Sequence, residues 1–92
     1  MSVTFEWDGA KALENIRKHG VDFEEASSAF FDPLSLTIPD LEHSEGEERY
    51  VLVGISSRSQ LLVVVHLDWG DRIRIISARA ASRHERRNYE EA

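Results

Sequence analysis

The chain has 92 residues, one domain's worth of sequence, and 41% of them are hydrophobic, enough for a single core. It contains no cysteine, which excludes disulfides and thiolate metal sites, and its net charge of −6 argues against a general nucleic-acid binder. No stretch approaches the roughly 18 apolar residues of a membrane span, and Met1 to Thr4 do not open a leader-like segment, so a single cytoplasmic domain over residues 1–92 without membrane contact is expected.

In chain order, Phe5-Glu6-Trp7 reads as a short strand. Asp8 can cap a following helix whose apolar positions are Ala12, Leu13 and Ile16. Lys18 and His19 fall in its last turn, where positive charge suits the helix dipole, and Gly20 is the stop. Asp22 to Glu25 has the spacing of a capping box and opens a second helix with Phe23, Ala26 and Phe30 inward, ended by Asp32-Pro33. Residues 34–38 alternate with period two, as a half-buried strand does, and 39–48 form an acidic loop around Gly46. Three apolar strands follow at about 49–56, 61–67 and 72–78, joined by turns short enough for hairpins. Ser82 to Glu85 is a second capping box and starts a last helix. Strand, helix, helix, four strands, helix predicts an α+β fold: an antiparallel meander sheet with two N-terminal helices on one face and one C-terminal helix. Leu13, Ile16, Phe23, Phe30, Leu52, Val64 and Ile75 are the expected core.

Charge is distributed unevenly. Residues 1–48 carry twelve acids against three bases, whereas 49–92 carry five acids against eight bases, all arginine. Arginine is suited to forked contacts with phosphate. Three constellations can carry chemistry. Lys18-His19 closes the first helix, where dipole complementation alone would also explain it. Arg49 enters its strand with the parity of Val51, Val53 and Ile55 and can reach over the core to a rim, or pair with Glu47 or Glu48. Strand parity puts Arg72 and Arg74 on one face and Ser77 and Arg79 on the other, and the last helix adds Arg83, Arg86 and Arg87, a phosphate-binding face or a solvated one. His43, His66 and His84 lack the spacing of a metal site, so no metal or cofactor is expected.

The combination of Phe5-Glu6-Trp7-Asp8, Lys11, Asn15, Lys18-His19-Gly20-Val21-Asp22-Phe23, Glu25-Ala26, Phe30 and Asp32-Pro33 resembles the first half of BrnT-type toxins. The second half is similar too, in Asp40, His43-Ser44, Gly46 to Tyr50, Gly54, Ile75 to Arg79, Glu85-Arg86 and Tyr89. The chain departs from the expected pattern at Trp69, in a turn where a charged residue would be usual. The resemblance implies a RelE-like fold and a ribonuclease toxin of a type II toxin–antitoxin system that cleaves RNA without a metal and so stops translation and growth. It also implies a BrnA-type antitoxin with a ribbon-helix-helix region, through which the pair binds operator DNA and represses its own operon, and it leaves room for a toxin dimer within a heterotetramer.

The matching motifs carry Lys18, His19, Arg49, Arg79 and Arg86. On chemical grounds Arg49 and Arg79 are suited to hold the reacting phosphate, His19 to move a proton and Lys18 to assist phosphate binding, which makes these four the candidate catalytic residues. Arg74, Arg83, Arg86 and Arg87 are the candidate RNA contacts. The general base is not assigned by the sequence. The alternative is a non-catalytic module that binds the antitoxin and acts as a co-repressor. A free-standing DNA-binding protein is opposed by the acidic balance and the lack of a helix-turn-helix pattern.

Overall fold

The computed structural model describes residues 3–42 and 46–92. His43 and Ser44 lie outside the described residues. The elements are β1 (Thr4–Glu6), α1 (Gly9–His19), α2 (Phe23–Ser28) continued by a 3₁₀ turn (Ala29–Phe31), β2 (Leu36–Pro39), β3 (Arg49–Ile55), β4 (Leu61–Asp68), β5 (Arg72–Ala80) and α3 (Arg83–Glu91). None of the described helices is long and apolar enough to cross a membrane.

Local chemistry sets the helix ends. The Asp8 carboxylate accepts from the amides of Ala10 and Lys11 at 2.8 and 3.1 Å, and Gly20, at φ +69°, closes α1 by donating its N–H to Ile16 O. Asp22 caps α2 by accepting from the Glu25 amide at 2.7 Å. The reciprocal half of that capping box is missing, because the Glu25 side chain is buried and accepts from the Ser56 hydroxyl at 2.7 Å instead. Ser82 and Glu85 complete both halves of theirs.

The sheet order is β1-β5-β4-β3-β2. β2 to β5 form the expected antiparallel meander, but β1 departs from it by joining the far edge parallel to β5, with Phe5 opposite Ile73. α1 and α2 cover one face. Their core is Phe23, Ala26 and Ala29 against Leu52, Leu62, Val64, Ile75 and Ala78, with Phe5, Trp7, Ala12 and Phe30 packed around it. The approach is close: a Cβ at Gly54 would sit 2.7 Å from the Ala29 carbonyl oxygen, so the 3₁₀ turn rests directly on the strand backbone.

Two expectations are corrected. Leu13 and Ile16 are 71% and 45% exposed; α1 instead turns Ala12 and Asn15 inward. Asn15 is buried because β1 stops pairing at Arg74, which leaves the outer edge of β5 open beyond it. The Asn15 amide fills that gap: its Nδ2 donates to Ala78 O and Val21 O at 2.8 and 2.9 Å, and its Oδ1 accepts from Ala78 N at 3.1 Å. One side chain thus does for Ala78 what a neighbouring strand would do, and no buried backbone group is stranded there.

The second correction is one of parity. A β-bulge lies in the β4–β5 pairing: Val65 faces Ser77 while the next residue, His66, faces Ile75. Ile76 is the extra residue, so Ile75 and Ala78, three apart, both point into the core. Ser77 and Arg79 are thereby rotated onto the same face as Arg72 and Arg74, not the opposite one.

Candidate RNA-contact site

The face away from α1 and α2 can be read off the register. One cross-strand row is Glu6, Arg74, Leu67 and Arg49; the next is Ser77, Val65, Val51 and Ile38; the third is Arg79, Val63, Val53 and Leu36. Arg49, Arg74 and Arg79 therefore share one sheet face. On ideal strand spacings the Cα atoms of Arg49 and Arg79 stand about 16 Å apart, two strands across and four residues along. α3 lies over the β2–β3 side of this face, where Leu36, Ile38, Val51 and Val53 with Glu85 and Asn88 enclose a cavity of about 220 Å³.

Each cation has its own electrostatic setting. Arg74 Nη1 donates to Glu6 Oε2 at 2.8 Å, and Arg72 Nη1 lies 3.4 Å from the other Glu6 oxygen, so one carboxylate holds two arginines. Arg79 grips Glu85 with two parallel bonds of 2.7 and 2.8 Å and also donates from Nη1 to Ala80 O at 3.3 Å. Of the five guanidinium donors, the Nε–H and one Nη2–H remain for another ligand. The Arg79 guanidinium holds the Glu85 carboxyl down to about 2, with the Ser82 amide adding to the effect against the cost of burial.

Lys18 and His19, at the end of α1, line a cleft of about 170 Å³ with Asn15, Ile76 and Ser77. The bulge thus forms one wall of the Lys18–His19 cleft, and Ser77 links that cleft to the arginine face. Lys18 is 3.8 Å from Glu14, which also pairs with Arg17. Arg83, Arg86 and Arg87 lie on α3 residues exposed to solvent, while Glu85 and Tyr89 face the sheet. None of these three arginines makes an ion pair among the described residues. The structure therefore brings Lys18, His19, Arg74 and Arg79 around β5, sets Arg49 two strands away on the same face, and leaves the α3 arginines on a separate outer surface.

Several supporting residues escape sequence reasoning. Asp32, half-buried, accepts from Tyr89 Oη at 2.6 Å, Ile55 N at 2.8 Å and Leu34 N at 2.9 Å, which ties the end of α3 to β3. Burial acts to raise its pKa, but the three donors outweigh it and hold the carboxyl below its ordinary value. Asp32 and Tyr89 both stand in motifs quoted above, yet nothing local joins residues 57 positions apart. His66 is a core residue: it is 2% exposed, between Phe30 and Tyr50, and burial pushes its pKa down so that it stays neutral. No group of three or more His, Asp or Glu side chains among the described residues is placed to hold a metal ion.

These features define a small α+β protein with an arginine-bearing sheet face flanked by a Lys–His helix end. The family follows from comparison: the model of the ribonuclease toxin BrnT of type II toxin–antitoxin systems matches residues 7–85, and the chain belongs to that family. The fold is similar to the crystal structure of the ribonuclease toxin BrnT of Brucella abortus, with a TM-score of 0.68 at 24% identity, covering 89% of this chain and 100% of that one. No curated protein matches the sequence.

Proposed function

We propose that this protein is a metal-independent endoribonuclease toxin with a RelE-like fold, acting in the cytoplasm as one domain over residues 1–92, and that a BrnA-type ribbon-helix-helix antitoxin neutralises it. The observation that carries this reading is the alignment of Arg49, Arg74 and Arg79 on one sheet face by the β4–β5 bulge, with the Lys18–His19 cleft at its edge.

RNA supplies its own nucleophile, the ribose 2′-hydroxyl. Its attack forms the P–O2′ bond and breaks the P–O5′ bond, leaving a 2′,3′-cyclic phosphate and a 5′-hydroxyl. The 2′ proton goes to a base and the departing 5′ oxygen takes a proton, so the protein must orient the strand, move protons and stabilise the pentacoordinate phosphorane. Arg79, with two donors still available, is suited to the developing charge. Arg49 and Arg74, in one row farther along the face, hold the strand beside it, His19 moves a proton and Lys18 adds charge. Arg83, Arg86 and Arg87 give the flanking RNA a weaker, salt-sensitive hold. In this reading the antitoxin covers the cationic face, and the pair, with a toxin dimer inside a heterotetramer, reaches operator DNA only through the antitoxin.

The test is cleavage of single-stranded and ribosome-associated RNA by purified protein in excess chelator, with end-group analysis. A 2′,3′-cyclic phosphate product is expected; activity that vanishes with chelator and returns with a divalent cation overturns the mechanism. The second reading, a non-catalytic antitoxin-binding co-repressor, is favoured by one observation, the occupation of two of the five Arg79 donors by Glu85. Expression without antitoxin separates the two, since only the enzyme arrests growth.

A further inference from the structure

The β4–β5 turn carries a large aromatic residue at the end of the arginine face. Trp69 N donates to Arg72 O at 2.9 Å, which makes Trp69 and Arg72 the closing pair of the hairpin. Trp69 continues the parity of Val65 and Leu67, so its ring and Arg72 project on the same side as Arg74 and Arg49 in the adjoining row. The Arg72 guanidinium carbon lies 4.8 Å from the Trp69 ring centroid, a cation–π contact that holds the indole in place. Even so, 42% of Trp69 is exposed. The turn itself is fixed by Gly70 at φ +87° and by the Gly70 amide donating to Asp68 at 2.8 Å, so neither the indole's position nor its exposure reflects a loose loop end.

What sets this indole apart from the more exposed apolar side chains is its fixed place beside two arginines. Its neighbours indicate what fits. Arg72 and Arg74 share the single carboxylate of Glu6, so two guanidinium groups beside the ring meet one acid in direct contact. The acids of the turn are Asp68, which strand parity sends to the other face, and exposed Asp71. An exposed aromatic surface with guanidinium groups one row away matches a nucleotide of a single strand: an unpaired base stacks on the ring while its phosphate meets the arginines. One nucleotide offers both a ring and an anion, whereas a protein needs an apolar and an acidic side chain side by side to do the same.

We infer that Trp69 is a base-stacking site for single-stranded RNA, with Arg72 steadying the indole and the Arg74–Arg49 row receiving the adjoining phosphate. This rests on the ribonuclease reading above and adds a specific subsite to it. Stacking accepts every base but is stronger for purines, so the site biases where the strand docks without reading an edge pattern.

The experiment is titration of the purified full chain with 2′-O-methyl octa-adenylate and octa-uridylate, which lack the nucleophile and survive binding. Tryptophan fluorescence reports the site, because the other indole, Trp7, packs edge-on against Phe23. Quenching is expected, with octa-adenylate bound more tightly than octa-uridylate. Trp69→Ala and Trp69→Leu are expected to weaken octa-adenylate binding, followed by anisotropy of a labelled strand, by about tenfold, and Trp69→Phe by no more than about threefold. Equal binding by wild type and Trp69→Ala, or by Trp69→Leu and Trp69→Phe, overturns the site; should Trp69→Ala fail to fold, the Leu and Phe variants decide. RNA cleavage with undiminished Trp69→Ala binding sinks this inference and leaves the ribonuclease reading standing. A wild type that neither binds nor cleaves RNA sinks both.

Discussion

The Glu85 carboxylate closes on the Arg79 guanidinium with two parallel bonds, and the same carboxylate accepts from the Ser82 amide at 2.8 Å. One residue therefore caps α3, fastens the helix to β5 and occupies part of the cation proposed to act on a phosphate. Because α3 contains no buried residue, this pair and the Tyr89–Asp32 bond are its main polar attachments.

Arg79→Ala is expected to lower RNA cleavage by about 10²–10³-fold while the chain stays folded, because a partly exposed cation contributes more to phosphate charge than to packing. Single-turnover cleavage rates and thermal melting of the same preparation check this. Full activity in Arg79→Ala would remove the residue from the site.

Glu85→Gln keeps the shape of the side chain and loses its charge, and is expected to cost about 1 kcal/mol in denaturant unfolding. The pH dependence has a definite sign. The folded pKa of about 2 lies below the ordinary value, so the stabilisation is present above about pH 4.5 and is lost as pH falls toward 2. Unfolding midpoints across this window should fall more steeply in the wild type than in Glu85→Gln.

His66 provides a second pH signal in a different window. Its folded pKa is depressed by burial, so the unfolded chain takes up a proton that the folded one refuses. Stability is expected to be full above about pH 6.5 and to decline as pH drops below it. His66→Phe should flatten that part of the profile; an unchanged slope would place the titration elsewhere.

Gly54→Ala is expected to destabilise the protein by about 1–3 kcal/mol, since the added methyl meets a backbone oxygen at 2.7 Å that cannot swing away. Its unfolding midpoint in urea is the measurement, with the exposed Gly9→Ala, whose Cβ meets nothing within 4 Å, as the control.

Asn15→Leu tests the strand surrogate. Its three hydrogen bonds to Val21 and Ala78 vanish and leave buried backbone groups unpaired, so a loss of about 3 kcal/mol or more is expected. Faster amide exchange at Ala78 would locate the damage at the open edge of β5; unchanged protection there would refute the account.

Much of this was determined by local sequence. Asp8, Gly20, Asp22 and Ser82 fix helix ends through hydrogen bonds that span a few residues, and the apolar runs along 49–56, 61–67 and 72–78 specify strands with short turns between them. The cationic bias of the second half was equally visible, and so was the family, because its motifs are contiguous. Tertiary structure decided the rest. Periodicity located α1 but chose Leu13 and Ile16 as its inner stripe, since counting apolar residues cannot weigh an asparagine against a strand edge that only exists once β1 has stopped pairing. Parity separated Arg79 from Arg74, since a bulge belongs to the pairing of two strands and not to either strand alone. That one extra residue, Ile76, puts both arginines on the same face and so assembles the candidate site.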